Sequence, residues 1–179
     1  TMTIPKPELD TILRILSTCR DPSGDALVRR GASADAIRAA STAVGMEFPA
    51  DLRSWLANVD GAAVLGANFY GPERIAKSIA MNPEYRSVSF LPIAGDSHGN
   101  DYVAALADNP MDPPIVFVEG IEGRTKACYI ASSSLFVFIK NALERSLSYD
   151  DSLWPWDEEH VLREDPQIAS FGYALPWEA

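Results

Sequence analysis

The chain contains 179 residues, and its content of 47% hydrophobic and 22% charged residues is usual for a single globular domain. Its formal net charge of −10 at pH 7 argues against nucleic acids and anionic membranes as partners, because both attract basic residues. No apolar run approaches the ~20 residues that a membrane-spanning helix requires.

The first 60 residues have the apolar spacing of three helices. Ser33 is a suitable cap for the second helix and Gly45 a suitable stop. Pro49 suits the start of the third helix, and Asp60 with the glycine after it ends that helix. The positions expected to face inward are Leu9, Ile12, Leu13 and Leu16, then Ile37, Ala40 and Val44, then Leu52, Trp55, Leu56 and Val59.

From residue 62 onward the pattern changes to short strands. Strands are predicted over residues 62–65, 67–70, 87–93, 102–106, 115–118 and 127–130, with a short helix over 72–80. We expect the third strand to end at Pro92, because proline lacks the N–H that a strand ladder uses. The turn that follows is expected to use positive φ angles at Gly95, Gly99 and Asn100.

A last strong helix begins near Ser133, and we expect the serines at 132–134 to cap it. Its apolar stripe consists of Leu135, Phe138, Ile139, Ala142 and Leu143. The order is therefore helices, a largely antiparallel sheet and a closing helix. Segregated elements of this kind indicate an α+β fold, in which helices flank the sheet.

Residues 149–179 combine acidic and aromatic side chains. They contain eight acidic residues and one basic residue, Arg163, and therefore carry −7 of the net charge. Their rings include Trp154, Trp156, Phe171, Tyr173 and Trp177. Solvated tails lack such apolar area, so we interpret 149–179 as an irregular arm packed on the body. The chain is then one domain over residues 1–179.

The sequence contains no convincing catalytic or metal-binding motif. His98 and His160 are its only histidines, and neither has a cysteine or second histidine at ligand spacing. Asp96 and Asp101 flank His98 in GDSHGNDY, but their spacing is not that of an EF-hand loop. A nucleophile elbow and a glycine-rich phosphate loop are also missing. We therefore predict a protein that is not an enzyme and that uses neither a metal nor a cofactor.

Three segments in chain order resemble the SUKH superfamily, the group of the yeast Smi/Knr cell-wall regulator and its bacterial relatives. They are FPADLRSWLANVDGAAV, FLPIAGDSHGNDYVAAL and SSSLFVFIKNAL, and with the helix before them they cover about residues 33–148. The positions that match are Pro49, Leu52, Trp55, Leu56, Asp60 and Gly61, then Pro92, Gly99, Asp101 and Tyr102, then Ser134, Phe136, Phe138 and Ile139. The resemblance implies an α+β domain.

For most bacterial members the resemblance implies immunity, meaning that the protein binds and neutralises a polymorphic toxin. Our leading hypothesis is such an immunity protein, whose acidic surface attracts a basic toxin domain. A regulatory or scaffolding module like the yeast relative is the first alternative. The second is a small-molecule-binding or hydrolytic domain that uses the loop at residues 95–102. The sequence does not determine the oligomeric state.

The predicted partner contacts are acidic or loop residues. They are Asp96, His98, Asp101, Asp150, Asp151, Asp157, Glu158 and Glu159. Trp55 and Phe136 lie on helical stripes, so we expect them in the core instead. Residues 1–10 have neither the basic region nor the apolar core of a secretory signal, which favours a cytoplasmic protein.

Overall fold

Helices surround a six-stranded antiparallel sheet whose strands follow one another in chain order. The computed structural model describes residues 5–24, 30–148 and 158–179 of the chain. The α+β prediction is confirmed, because one antiparallel sheet is flanked by helices on both sides of it in the sequence. None of the helices in these three ranges is long and apolar enough to cross a membrane.

The bounds of the elements follow the predicted order closely. The strands are β1 (Ala62–Val64), β2 (Ala67–Phe69), β3 (Phe90–Gly95), β4 (Asp101–Ala105), β5 (Ile115–Val118) and β6 (Tyr129–Ser132). The α-helices are α1 (Leu9–Leu16), α2 (Ala34–Val44), α3 (Ala50–Asn58), α4 (Pro72–Met81), α5 (Leu135–Leu147) and α6 (Glu158–Glu164). Short 3-10 helices occupy Pro83–Val88 and Ile168–Ser170.

Local signals in the sequence account for the ends of the N-terminal helices. The Ser33 hydroxyl accepts a hydrogen bond from the Ala36 N–H and caps α2, as predicted. Gly45 ends α2 in the left-handed conformation with φ 74°, where a side chain would be strained. Pro49 immediately precedes α3, where its missing N–H leaves no helical hydrogen bond unmade.

The core lies where α3 and α5 cover one face of the sheet. Paired residues of β2 to β6 form a row across this face, namely Phe69, Ala94, Tyr102, Phe117 and Tyr129. Phe138 of α5 packs against this row, with its ring centroid 6.2 Å from that of Phe69 and 4.9 Å from that of Tyr102. Trp55 of α3 continues the cluster with an edge contact of 5.6 Å to Phe69. The prediction that Trp55 and Phe136 are buried is confirmed, at 2% and 8% exposure.

The third strand differs most from its predicted position. Ser87 and Val88 belong to a 3-10 helix, and Ser89 follows with φ 55°, so β3 begins only at Phe90. The prediction that the strand ends at Pro92 is wrong, because β3 continues to Gly95. A register shift between Pro92 and Ala94 interrupts the ladder to β4. Such a bulge lets an interior strand include a proline.

The C-terminal segment has more regular structure than expected. The interpretation of an irregular arm is wrong for residues 158–164, which form α6. Val161 and Ile168 are each 1% exposed, and the Ile130 N–H of β6 donates to the Ala174 carbonyl. Five of the predicted residues of this arm, Asp150, Asp151, Trp154, Trp156 and Asp157, lie outside the described residues.

The prediction that the serines at 132–134 cap α5 is also wrong. Ser134 occupies the cap position, but its side chain makes no capping hydrogen bond. The Asp165 carboxylate, from beyond α6, accepts instead from the Ser133 N–H at 2.7 Å and the Ser132 hydroxyl at 3.0 Å. Ser132 and Ser133 precede α5, so Asp165 anchors the connection from β6 into the helix and does not cap its first turn.

Candidate binding site at one end of the sheet

Several predicted contact residues meet at one end of the sheet. In the antiparallel pairing, β1, β3 and β5 end where β2, β4 and β6 begin. We call this the loop end, and it consists of residues 65–66, 96–100 and 119–128. Asp96, His98 and Asp101 lie at the loop end or at its border with β4.

Asp101 is the centre of a buried hydrogen-bond network at this end. Successive residues of a strand face opposite sides, so Asp101 points away from the aromatic face on which Tyr102 lies. Asp101 is 6% exposed, and its carboxylate accepts from the Tyr70 and Tyr85 hydroxyls, each at 2.6 Å. The Arg124 guanidinium donates to the same carboxylate at 2.6 Å and to the Tyr85 oxygen at 2.9 Å. The buried charge is therefore paired and hydrogen-bonded.

The tyrosines act as neutral donors in this network. Burial, together with the hydrogen bonds to Asp101, raises the pKa of both Tyr70 and Tyr85 above the usual value for a tyrosine. Oδ1 of Asp101 is taken by Tyr70, and Oδ2 by Tyr85 and Arg124. A carboxylate held in this way orders the surrounding loops and is poorly placed to take a proton from a substrate.

Gly95 lies so close to the Tyr70 hydroxyl that a larger residue would not fit at this position. It pairs with Asp101 across the sheet, and a Cβ atom built on it would lie 2.1 Å from the Tyr70 hydroxyl oxygen. Only glycine leaves room for that hydroxyl to reach Asp101. The expectation of positive φ is correct for Gly99, at 88°, and wrong for Gly95 and Asn100.

Asp96 closes the turn between β3 and β4. Its carboxylate accepts from the backbone N–H groups of His98, at 2.7 Å, and Asn100, at 3.0 Å, and from the Asn100 side chain at 2.8 Å. This is a local turn of the kind that aspartate forms with the backbone two residues on. The His98 side chain is 85% exposed, with its Nδ1 atom 3.8 Å from Asp96. His98 is therefore available for contact with a partner.

An open cleft of about 580 Å³ lies beside this turn. Its charged lining residues are Asp60, Glu73, Arg74, Lys77 and Asp96. The Arg74 guanidinium lies over the Tyr70 ring, 5.2 Å from its centroid, which is the geometry of a cation–π contact. The cleft is lined by both acidic and basic side chains. Such a lining fits a polar surface of another protein better than it fits an apolar ligand.

The remaining predicted contacts do not belong to this network. Glu158 and Glu159 are exposed at the start of α6. Asp150, Asp151 and Asp157 fall in ranges that the structure does not describe. Within the described ranges, no group of three or more His, Cys, Asp or Glu side chains is arranged to hold a metal ion.

Sequence reasoning missed the three partners of Asp101. Tyr70, Tyr85 and Arg124 are 31, 16 and 23 residues away from it in the chain. One signal was present, since Asp101 adjoins the apolar strand predicted at residues 102–106, and an aspartate buried there needs hydrogen-bond donors. The sequence does not say which donors the fold brings to it.

Comparison with known proteins identifies the region that contains this network. A family model described as the SMI1 / KNR4 family (SUKH-1) matches residues 31–141. This range includes the whole sheet, α2 to α4, the first half of α5 and all four residues of the Asp101 network. A search of curated proteins found no match.

Proposed function

The chain belongs to the SMI1 / KNR4 family (SUKH-1), and from this premise we propose that it is a non-catalytic immunity protein that neutralises a bacterial polymorphic toxin by binding it directly. Family membership is the observation that carries the proposal. The resemblance to bacterial members of the superfamily implies this role. The partner is therefore a protein, and in the complex the toxin is occluded.

The loop end is the surface that we propose for this contact. The loop end presents the exposed His98 and borders the mixed-charge cleft through Asp96. The Asp101 network holds the adjacent backbone in place. A surface ordered before binding loses less conformational entropy when the partner docks. The net charge of −10 adds attraction for a basic partner.

Binding and inhibition should be measured together on the purified full-length chain. The proposal predicts that a gene adjacent to this one encodes a toxin domain, and that domain is the probe. We expect a complex of defined stoichiometry in calorimetry and loss of the toxin's activity at the same molar ratio. Binding without inhibition would favour the regulatory or scaffolding alternative instead.

The hydrolytic alternative requires turnover that depends on the loop at residues 95–102. A screen of phosphoester, ester and amide substrates should show no activity above that of buffer. Turnover that His98→Ala abolishes, in a variant that melts like the wild type, would contradict the non-catalytic proposal. His98 suits this control because its exposed ring carries no core packing.

A further inference from the structure

We propose that the β5–β6 loop at residues 119–128 holds the protein partner, with Ile121 inserted into an apolar pocket that has a basic rim. This inference rests on the proposed function and names the contact that the function requires. The Ile121 side chain is the most exposed of the large hydrophobic residues in the described ranges, at 100%.

The loop that presents Ile121 is held on both sides of it. On one side, the Gly120 N–H donates to the Asn100 side-chain oxygen at 3.1 Å. On the other, Arg124 donates to the Gly99 carbonyl at 3.2 Å and to the Asp101 carboxylate at 2.6 Å. Ile121 is thus exposed on a backbone that is tied to the adjacent turn and to the buried network.

The two loops approach each other too closely for any residue but glycine at position 120. A Cβ atom there would lie 2.8 Å from the Gly99 carbonyl oxygen. Gly123, after Ile121, has φ 100°, a conformation that other residues rarely adopt. These glycines allow the loop conformation in which Ile121 is exposed. Neither of them adds a side chain to the core of the domain.

The neighbours of Ile121 indicate the chemistry of the partner. Glu119 and Glu122 flank it, and Glu122 is exposed. An apolar side chain with a carboxylate on either side of it in the chain fits an apolar pocket with lysine or arginine at its rim. In protein interfaces a central apolar contact supplies most of the affinity, while charges at the rim affect the rate of association.

Met111 provides a matched control at the opposite end of the sheet. It is 75% exposed in the turn between β4 and β5, and β4 begins and β5 ends at the loop end. Met111→Asp and Ile121→Asp therefore each replace an exposed apolar side chain with an aspartate, at opposite ends of the sheet. Neither should alter the melting temperature, because neither side chain is buried.

The test measures the Kd of both variants for the toxin domain encoded by the adjacent gene. Ile121→Asp should weaken binding at least about 30-fold, the loss typical of a central contact, whereas Met111→Asp should leave the Kd unchanged. Glu119→Gln combined with Glu122→Gln should slow association and reduce its dependence on salt. Arg124→Lys should speed hydrogen exchange at residues 119–124 and weaken binding, because lysine lacks the guanidinium fork.

The outcomes separate this inference from the proposed function. If the wild-type chain binds the toxin and Ile121→Asp binds equally well, the inference is overturned and the proposed function stands. If the wild-type chain does not bind, both are overturned. A wild-type dimer that Ile121→Asp dissociates in sedimentation analysis would show that the loop contacts a second copy, which also overturns the inference.

Discussion

Asp101 connects three separate parts of the chain. Tyr70 follows β2, Tyr85 lies in the 3-10 helix before β3, and Arg124 belongs to the β5–β6 loop. Their hydrogen bonds to one carboxylate fix the distances between these segments. Because the group is buried, the loss of the charge would leave polar partners unsatisfied in a place that water does not reach.

The buried Asp101–Arg124 pair should therefore contribute far more to stability than an exposed pair. Asp101→Asn should lower the free energy of unfolding by about 3–5 kcal/mol, because Arg124 loses its counter-charge. Asp35→Asn is the control, since Asp35 forms an exposed ion pair with Arg38 at 2.9 Å and should cost under about 1 kcal/mol. Urea unfolding of both variants measures the difference. Equal losses of unfolding free energy in the two variants would show that burial does not strengthen the Asp101–Arg124 pair.

Alkaline pH should weaken the same network. Since burial and Asp101 raise the pKa of Tyr85, the folded chain keeps this proton to higher pH than the unfolded chain does. The stabilisation is complete below the ordinary tyrosine pKa of ~10 and is lost as the pH rises from there toward the folded pKa. Unfolding free energies measured from pH 8 upward should fall less steeply for Tyr85→Phe than for the wild type. Parallel curves would contradict this assignment.

Trp55 should be a residue of the core and not a partner contact. It is 2% exposed and contacts the Phe69 ring, so Trp55→Ala should lower the free energy of unfolding by about 3–5 kcal/mol. Ser54→Ala, at the exposed neighbouring position of α3, should change it by less than about 0.5 kcal/mol. A Trp55→Ala variant that melts like the wild type but no longer binds its partner would reverse this interpretation.

At the scale of elements, the connection from β6 into α5 depends on the C-terminal segment. Asp165 is 3% exposed and accepts hydrogen bonds from the Ser133 N–H and the Ser132 hydroxyl. Residues 158–179 lie beyond the family match, which ends at residue 141. The segment nevertheless supplies the acceptor for the residues that lead into α5, a helix whose Phe138 lies in the core.

Loss of this acceptor should destabilise the whole domain. Asp165→Ala should lower the free energy of unfolding by about 1–3 kcal/mol, because it leaves the buried Ser133 N–H without a partner. Gln167→Ala, two residues further on and exposed, should have almost no effect. Asp165→Asn should recover part of the loss, since its amide oxygen still accepts. The measurement is a thermal melt of all three variants. A melting temperature of Asp165→Ala equal to that of Gln167→Ala would contradict the anchoring role of Asp165.

At the scale of the whole molecule, charge is distributed unevenly. Residues 149–179 carry −7 of the net −10, while the preceding residues are nearly balanced. If this acidity attracts a basic toxin, association should slow as the salt concentration rises from ~10 to ~150 mM, because the screening length falls from ~30 to ~8 Å.

A neutralised variant tests this role while keeping every aromatic ring. Changing the acids Asp150, Asp151, Asp157, Glu158 and Glu159 to their amides should slow association with the toxin domain and leave dissociation almost unchanged. Stopped-flow measurements at the two salt concentrations supply the rates. An association rate that responds to neither change would leave shape complementarity as the basis of binding, with the acidity serving solubility.

The sequence by itself determined the class of fold and the order of its elements. Helix periodicity with local caps at Ser33 and Gly45, and a continuous apolar run at Ile115–Val118, act over a few residues and can be recognised in them. It also predicted that Trp55 is buried, which the structure confirms. Elements that depend on distant contacts were predicted less well, as the bulge at Pro92 and the helix α6 show.

Only the tertiary structure decided what surrounds Asp101 and what anchors the connection into α5. Tyr70, Tyr85 and Arg124 reach Asp101 from three different connections of the sheet, and Asp165 reaches the residues before α5 from beyond another helix. A buried carboxylate requires donors, and a buried backbone N–H requires an acceptor, but any of many residues could satisfy either need. The choice among them depends on packing between segments far apart in the chain, for which the sequence has no local pattern.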